Sequence, residues 1–399
     1  MRKVVRPLAF IAILAVIGAA CSKNNGGTTG TTATTGTSGT STSAPTGTTG
    51  TSAPTGATGT SAPTGATGTS APTGPPVKVG LVYDIGGRGD KSFNDSAAAG
   101  LDKAKQDFNI DSKELAPNSG GTNRADLLNL LATQGYQLVI GVGFLYAPTI
   151  GAAAAQYPDV DWADVDGFID HTTCDTCTDD YPKNLTSLLF AENEGAYLVG
   201  CAAALKSKTK HVGFIGGVNI ALINKFQAGF DAGVEKCGPG TKVDHTYISQ
   251  PPDFSGFNDP AKAQTIAQGM YQGGADVVYH AAGGSGAGLF AAAEAFSKSS
   301  GGHVWAIGTD ADQYLSAPKD QQPYILTSNL KRVDTAVYET IKNFVNGTFK
   351  NGVQTFDLKA DGVGYATSGG FVDDIKSQLD DLAAQIKSGQ IKVPATLSG

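Results

Sequence analysis

The chain has 399 residues, with 29 Lys and Arg against 36 Asp and Glu, so its formal net charge at pH 7 is −7. A mildly acidic chain with no basic block after its first residues lacks the charge that nucleic-acid binding requires. After the N-terminal segment, no stretch is long and apolar enough to suggest a membrane span.

The N-terminus has the features of a processing signal. A basic start, MRKVVR, precedes the apolar run Leu8–Ile17, which is too short to span a bilayer and fits a signal peptide. Cys21 follows two alanines, as in the bacterial lipobox, although Gly18 stands where that motif usually has leucine. We therefore expect residues 1–21 to be a lipoprotein signal peptide ending at a lipidated Cys21, which anchors the chain on the extracytoplasmic face of the cell membrane. The alternative is an ordinary signal peptide with a chance cysteine.

Residues 22–76 consist almost entirely of Thr, Gly, Ser, Ala and Pro, and much of the segment repeats TSAPTGATG or a close variant. It has no aromatic side chain and no aliphatic one larger than alanine, so it cannot offset the entropy of ordering. We expect a flexible tether with a span of roughly 40 Å, whose composition also permits O-glycosylation.

The part from residue 77 onward is longer than one hydrophobic core usually grows, so two lobes are expected. Strand and helix patterns alternate along it, which favours parallel βαβ units and an α/β fold of two doubly wound parallel-sheet lobes with a cleft between them. The predicted strands are Val79–Tyr83, Leu138–Val142, Trp162–Val165, Ser187–Ala191, His211–Ile215, Val243–Ile248, Val277–Tyr279, Val304–Thr309 and Ile325–Ser328.

The stretch Val79–Gly100 combines a buried strand, a glycine turn and a helix start. A turn of this kind lies at the carboxyl edge of an open α/β sheet, where such folds bind ligands. It carries an acid at the strand end (Asp84), an aromatic residue among polar neighbours (Phe93) and an amide (Asn94), which together suit a flat, polar small molecule. The candidate N-cap residues of the helix are Ser92, Asn94, Asp95 and Ser96.

Acids follow three of the predicted strands: Asp84, Asp166 and Asp310. A lone acid in that place is more often a helix cap, but three acids at edges that converge on one cleft favour ligand contact. Ionised carboxylates accept paired hydrogen bonds from ribose hydroxyls or ring N–H groups. Lys331 would offset part of this charge, although on the residues alone a solvated surface lysine is the preferred interpretation.

Two phenylalanines, Phe93 and Phe257, lie in loops with few apolar neighbours, a poor setting for core residues. We expect them to stack on a flat ring, with Phe254 as the competing candidate in the second loop. Gly283 and Gly284 follow another strand end, where we expect the backbone to approach a ligand closely.

Apart from Cys21 the chain has four cysteines, an even number that suggests disulfides in an exported protein. Three connectivities are open, and we favour Cys174–Cys177 with Cys201–Cys237. His171 near the first pair lacks a fourth ligand at zinc spacing, so no metal site is expected. No catalytic motif is present either, which favours a binding protein over an enzyme.

The motif at Asp84–Asn94, DIGGRGDKSFN, resembles the opening motif of the basic membrane protein family of ABC-importer substrate-binding lipoproteins, which includes purine nucleoside receptors. The resemblance covers nearly all of residues 77–394, in order, and implies a fold like that of type I periplasmic binding proteins. The other matching segments are Val142–Phe144, Tyr157–Val160, Val165–Gly167, Phe190–Gly200, Val212–Gly217, Phe226–Phe230, Phe257–Lys262, Ala281–Gly286, Ile307–Gln313 and Thr327–Asp334.

The resemblance also implies roles for single residues. Phe93 and Phe257 would sandwich the base, and Asn94 and Asp166 would contact its edge. The ribose contacts would fall on Asp84, Gly284, Asp310 and Lys331. Two features depart from the family pattern: the loop 170–181 with its two cysteines, and the PPDFSGF segment, which leaves Phe254 and Phe257 as alternatives.

From these observations we predict a lipid-anchored, monomeric protein that binds a nucleoside, most naturally a purine nucleoside, and delivers it to an ABC permease without any cofactor. The first lobe is expected to comprise residues 77–190 and about 330–352, and the second 191–329 and about 353–399. Within the same fold, a receptor for a sugar or a sugar-like signal is the alternative. A nucleoside hydrolase that uses the aspartates is the alternative from another class.

Overall fold

The structure is a computed structural model and describes residues 74–169 and 181–397. The predicted signal peptide, the predicted lipidation site Cys21, nearly all of the predicted tether and the cysteines Cys174 and Cys177 lie outside the described residues.

Strands and helices alternate along the described chain, as the sequence pattern predicts. The strands are β1 (Val77–Val82), β2 (Ile110–Leu115), β3 (Leu138–Val142), β4 (Asp161–Val165), β5 (Leu185–Phe190), β6 (His211–Val218), β7 (Lys242–Ser249), β8 (Val277–Ala281), β9 (Trp305–Asp310), β10 (Ile325–Lys331), β11 (Gly352–Phe356) and β12 (Val363–Tyr365). The α-helices are α1 (Phe93–Asp107), α2 (Arg124–Thr133), α3 (Ala147–Gln156), α4 (Glu192–Lys206), α5 (Ala221–Cys237), α6 (Pro260–Gln272), α7 (Gly286–Ser300), α8 (Gln313–Ser316), α9 (Val333–Val345) and α10 (Lys376–Lys387).

The strands form two six-stranded sheets, ordered β11-β5-β4-β3-β1-β2 and β12-β10-β9-β8-β6-β7. We call the first sheet with its helices the first lobe and the second sheet with its helices the second lobe. All strand pairs are parallel except β10 with β12, which is antiparallel. This is the predicted α/β architecture of two doubly wound sheets.

Helices cover both faces of each sheet, so the central strands are buried throughout. In the first lobe, Leu81 and Ile140 pack on one face, and Val82 and Trp162 pack on the other, all without measurable exposure. Burying a large apolar side chain in this way contributes roughly 1.5–3 kcal/mol each. The packing of these side chains therefore holds the central strands in place, and with them the residues that follow each strand.

The chain crosses between the lobes three times: between β5 and α4, between β10 and α9, and between β11 and β12. The crossing segments are hydrogen bonded to one another, since Ala191 N–H donates to the Phe356 carbonyl and Arg332 N–H donates to the Gly362 carbonyl. The last crossing follows Phe356, a few residues beyond the expected position near 353, because β11 adds an edge strand to the first sheet.

Three strands, β2, β11 and β12, are absent from the sequence prediction. Each one lies at or next to a sheet edge and is only partly buried. Such strands lack the continuous apolar run that marks a central strand, as the polar sequence IDSKEL of β2 illustrates.

A disulfide joins Cys201 of α4 to Cys237 at the end of α5, with 5.1 Å between the Cα atoms. It crosslinks two helices that pack together within the second lobe. Between residues 74 and 397, leaving aside the undescribed gap at 170–180, no helix combines the length and the apolar content that a bilayer span needs.

Candidate functional site

A cavity lies between the two lobes and encloses about 570 Å³ of empty space, its mouth included. Most of its walls are built by residues at or just beyond the carboxyl ends of strands from both sheets. The structure brings all eight predicted ligand-binding residues to this wall: Asp84, Phe93, Asn94, Asp166, Phe257, Gly284, Asp310 and Lys331.

The loop between β1 and α1, residues 84–92, which we call the motif loop, is organised by Asp90. The carboxylate of Asp90 accepts hydrogen bonds from the backbone N–H groups of Ser92, Asn94 and Asp95, at 2.8–3.0 Å. Ser92, one of the four N-cap candidates named from the sequence, occupies the N-cap position but makes no capping bond with its side chain. Asp90 satisfies the helix N-terminus instead.

The side-chain amide of Asn94 is used within the motif loop. Its Oδ1 accepts from the N–H of Asp84, and its Nδ2 donates to the Ile85 carbonyl and to Asp90 Oδ2. Both amide hydrogens are thus engaged, and only a second lone pair on Oδ1 remains for a ligand donor. In this structure Asn94 holds the loop together from a position on the cavity wall.

The two carboxylate oxygens of Asp84, a residue of the cavity wall, differ in their contacts. Oδ1 accepts from the N–H of Ile85 at 2.8 Å and pairs with Arg124 at 3.2 Å. Oδ2 has no hydrogen-bond partner among the described residues and lies beside Gly143, where a Cβ would approach it to 2.2 Å. Burial raises the pKa of this carboxyl, while its bond to Ile85 and the Arg124 guanidinium oppose the shift.

Asp166 at the end of β4 belongs to a buried ion-pair cluster. Its Oδ2 lies 2.5 Å from Lys331 Nζ, which also lies 3.3 Å from the carboxylate of Glu192. Oδ1 of Asp166 is buried and has no hydrogen-bond partner in the described chain. Burial raises the pKa of Asp166 to about 6, against the opposing effect of Lys331. Burial alone would lower the pKa of Lys331, but the surrounding carboxylates raise it above its usual value.

Asp310 occupies the equivalent place in the second lobe, as the last residue of β9. Its backbone φ is +67°, the same value as that of Asp166, a left-handed conformation in which aspartate is tolerated better than most residues. Oδ2 of Asp310 accepts a 2.5 Å hydrogen bond from Ser92 Oγ across the lobe boundary. Burial raises the pKa of Asp310 to about 7, although Lys331 and the bond from Ser92 act against the shift.

The three aspartates therefore share one arrangement. In each, one oxygen is held by a protein donor. The other oxygen of Asp166 is buried without a partner, and Asp84 Oδ2 and Asp310 Oδ1 make no hydrogen bond to another described residue. An ionised carboxylate can only accept, so a ligand must supply O–H or N–H donors to satisfy these oxygens. Lys331 and Arg124 are both already paired with carboxylates, so neither brings an unpaired positive charge to an anionic group on a ligand.

The remaining wall is apolar and largely aromatic. Phe93 comes from the first lobe and Phe257 from the second, where the Phe257 ring packs against Gly217 closely enough that a Cβ there would lie 2.6 Å from it. Phe254, the alternative to Phe257, makes instead an edge contact across the lobes with Phe144, at 5.8 Å between ring centroids.

Several wall residues were not identified from the sequence. They are Ile85, Asp90, Gly143, Phe144, Leu222, Ile223, Phe226, Ala281, Ala282 and Thr309. Phe226 lies inside helix α5, where a phenylalanine is expected in the core. Its ring centroid is 5.7 Å from Lys331 Nζ, which is also 5.0 Å from the rings of Phe93 and Phe190. The family motif around Phe226 was the one available signal for it.

Within the described ranges, no group of three or more His, Cys, Asp or Glu side chains is arranged to hold a metal ion. The residues that line the cavity offer carboxylate acceptors and aromatic rings.

Comparison with known proteins gives a consistent result. Residues 77–397 match the model of the Bmp family, described as PnrA-like ABC transporter substrate-binding proteins. The ABC transporter nucleoside-binding protein BmpA of Lactococcus lactis subsp. cremoris is 34% identical over 334 residues, covering 80% of this chain and 89% of that protein. An uncharacterized lipoprotein of Pyrococcus abyssi is 34% identical over 296 residues, covering 72% of this chain and 69% of its own length.

Among solved structures, a solute-binding protein of an ABC transporter system from Aeropyrum pernix K1 has a similar fold. The TM-score is 0.67 at 29% sequence identity, over 80% of this chain and 94% of that one.

Proposed function

The chain belongs to the PnrA-like (Bmp) family of ABC transporter substrate-binding proteins, and from that premise we propose that it binds a purine nucleoside between its lobes and delivers it to an ABC permease. Proteins of this family are transport receptors and not enzymes, so the bound solute leaves the site chemically unchanged. The name of the Lactococcus lactis relative, a nucleoside-binding protein, supports this choice of ligand.

The proposal rests on one observation: the same cavity is lined by hydrogen-bond acceptors and by aromatic rings. Among the described residues, Asp84, Asp166 and Asp310 each have one oxygen that accepts no hydrogen bond from the protein, and the oxygen of Asp166 is fully buried. Phe93 and Phe257 line the same cavity from opposite lobes. A nucleoside matches both features of the cavity. Its ribose hydroxyls and base N–H groups donate hydrogen bonds to the acceptors, and the two flat faces of its base can stack on the rings. Stacking on an aromatic side chain contributes roughly 1–3 kcal/mol per base.

We assign the base to the space between Phe93 and Phe257, with Asn94 and Asp166 at its edge. Asp84, Gly284 and Asp310 lie where the ribose would be, and Lys331 fixes Asp166 while contributing its charge to this end of the cavity. The positive charges of Lys331 and Arg124 are already paired with carboxylates, which supports a nucleoside over a nucleotide.

We also propose that the two lobes close over the ligand by rotation about the three crossing segments. Anchoring through a lipidated Cys21 would keep the protein beside its permease at the cell membrane. The lipoprotein relative from Pyrococcus abyssi supports this anchoring.

A sugar receptor remains the second candidate, because free carboxylate oxygens also suit the hydroxyl groups of a sugar. The aromatic and aliphatic share of the wall favours the nucleoside, since a sugar needs more polar partners than this wall provides.

Isothermal titration calorimetry with inosine, guanosine, adenosine, hypoxanthine, ribose and glucose tests the proposal. The nucleosides are expected to bind at least 100-fold more tightly than ribose or the free base, because only they use both the acids and the rings. Tighter binding of ribose or glucose than of any nucleoside would overturn the nucleoside assignment and favour the sugar receptor.

A further inference from the structure

A buried glutamine of the second lobe reaches the motif loop of the first lobe from behind the cavity. Gln313 is 1% exposed, and its Nε2 donates a 3.0 Å hydrogen bond to the carbonyl of Lys91. Gln313 is not among the residues that line the cavity, whereas Thr309 and Asp310 in the preceding strand are. This contact between the lobes is thus made by the protein alone.

The orientation of the Gln313 amide is fixed by two donors. Its Oε1 accepts from the backbone N–H of Thr309 at 2.8 Å and from Nε2 of His280 at 2.9 Å. Because Oε1 faces these two donors, Nε2 points toward the Lys91 carbonyl. The backbone N–H of Thr309 and the backbone carbonyl of Lys91 therefore determine which amide atom is the oxygen and which is the nitrogen. His280 is 1% exposed, and burial lowers its pKa to about 4, which keeps the ring neutral at physiological pH.

Two glycines make room for this arrangement, which we call the Gln313 bridge (His280, Gln313 and the Lys91 carbonyl). A Cβ at Gly308 would lie 2.6 Å from Gln313 Oε1, and a Cβ at Gly286 would lie 2.1 Å from the His280 ring. Neither glycine has a positive φ, so close packing and not backbone conformation excludes a side chain at both positions.

The Lys91 carbonyl, which accepts the bond from Gln313, also lies in a backbone segment with a defined conformation. Lys91 has a φ of +55°, a left-handed conformation that is uncommon for a residue other than glycine, and its N–H donates to Asp95 Oδ2 at 3.0 Å. The next two residues are Ser92, which bonds Asp310 across the lobes, and Phe93, which lines the cavity. A bond to the Lys91 carbonyl therefore fixes the segment that carries a wall residue of the site.

From this geometry we propose that Gln313 is a positioning residue for ligand capture. It stabilises the closed form by holding the motif loop against the second lobe, and so sets how long a ligand stays bound without setting which ligand is chosen. The inference rests on the two-lobed binding function; the choice of nucleosides as probes rests on the proposed function.

The most direct variant is Gln313→Glu, which keeps an acceptor for Thr309 and His280 but replaces the donor to Lys91 by an oxygen. Gln313→Met removes the same donor without adding a buried charge, should the glutamate unfold the chain. The matched control is Gln322→Leu, since Gln322 is a buried glutamine of the same lobe whose Nε2 bonds only within that lobe, to the Ala317 carbonyl.

Two measurements need no ligand: the radius of gyration from small-angle X-ray scattering, and hydrogen exchange of the motif loop. A larger radius or faster loop exchange in the Gln313 variants, with Gln322→Leu like the parent, is the expected result. With inosine, adenosine and guanosine as probes, dissociation rates measured by surface plasmon resonance should rise by roughly 3- to 10-fold, the effect of losing one hydrogen bond. The order of the three affinities should stay the same.

The proposal is overturned if dissociation rates and loop exchange of the Gln313 variants equal those of the parent, or if the order of the affinities changes. Failure of both Gln313 variants to fold, with Gln322→Leu folded, would also overturn it, because Gln313 would then be needed for the lobe itself. If the parent binds no nucleoside at all, the nucleoside assignment fails, and the ligand-free comparison alone decides the role of Gln313.

Discussion

Lys331 Nζ lies 2.5 Å from Asp166 Oδ2, so a buried ion pair joins the last residue of a strand in the second sheet to the end of a strand in the first. Both residues line the ligand cavity, and Glu192 at the start of α4 adds a second carboxylate 3.3 Å from the same ammonium group. Lys331 therefore balances carboxylate charge in the cavity and adds a buried ionic contact between the lobes.

Replacing Lys331 by methionine should lower the free energy of unfolding by roughly 3–5 kcal/mol, because Asp166 would lose its cation and Glu192 one of its two while both stay buried. Urea denaturation at pH 7 measures the effect. The control is Lys298→Met, whose exposed pair with Glu294 should contribute less than about 1 kcal/mol. Equal losses in the two variants would show that Lys331 is not an essential buried cation.

Phe93→Ala should weaken the binding of inosine by roughly 10- to 100-fold, the loss expected when a base no longer stacks on a ring. Phe108→Ala is the matched control, since this ring lies at the other end of α1 and stacks on Tyr338 at 5.9 Å. Titration calorimetry of the three proteins measures the difference. An unchanged affinity in Phe93→Ala would remove this ring from the site.

The variants Phe257→Ala and Phe254→Ala should differ in their affinity for inosine, measured by the same titration calorimetry. Phe257→Ala is expected to lose affinity on the scale of Phe93→Ala, because its ring lines the cavity. Phe254→Ala removes only the edge contact with Phe144, worth roughly 0.5–1.5 kcal/mol, and should raise the dissociation constant by no more than about tenfold. A larger loss in Phe254→Ala than in Phe257→Ala would assign the second stacking ring to Phe254.

Nucleoside affinity should fall as the pH is lowered from 8 to 6. The pKa of Asp310 is about 7 in the unliganded protein, where Asp90, Asp166 and Lys331 are the charged groups that act on it. A ligand that donates to the ionised carboxylate lowers this pKa, so binding releases a proton and weakens as protons are added. At pH 6 only about a tenth of the carboxyl groups are ionised, which corresponds to roughly tenfold weaker binding.

Asp310→Asn should bind more weakly at pH 8 and lose most of this pH dependence, keeping only the smaller contribution of Asp166. Asp374→Asn, at an exposed position, should leave the profile unchanged. A profile that is flat in the parent protein, or equally steep in Asp310→Asn, would contradict the role given to Asp310.

The sequence predicted the central strands and the residues that follow them, because buried parallel strands read as apolar runs and ligands contact their carboxyl ends. Asp84, Phe93 and Asp310 could be named for this reason. Edge strands such as Ile110–Leu115 could not, because half-exposed strands tolerate polar residues.

Contacts that depend on tertiary packing could not be predicted from the sequence. On its own residues Lys331 suggested a solvated surface lysine, yet it is 2% exposed, because the three-dimensional fold gathers Asp166 and Glu192 around it. His280 and Gln313 are separated by 33 residues and by a strand, and no local pattern indicates that one orients the other. Nor did any local pattern indicate that the amide hydrogens of Asn94, a proposed ligand contact, are used inside its own loop.

The most direct test of the central claim is a crystal structure of the protein grown with inosine. We predict hypoxanthine between the rings of Phe93 and Phe257, with ribose or base donors within 3.2 Å, the usual hydrogen-bond limit, of the carboxylates of Asp84, Asp166 and Asp310. Inosine bound elsewhere, or these rings packed in hydrophobic interiors with no ligand between the lobes, would contradict the account.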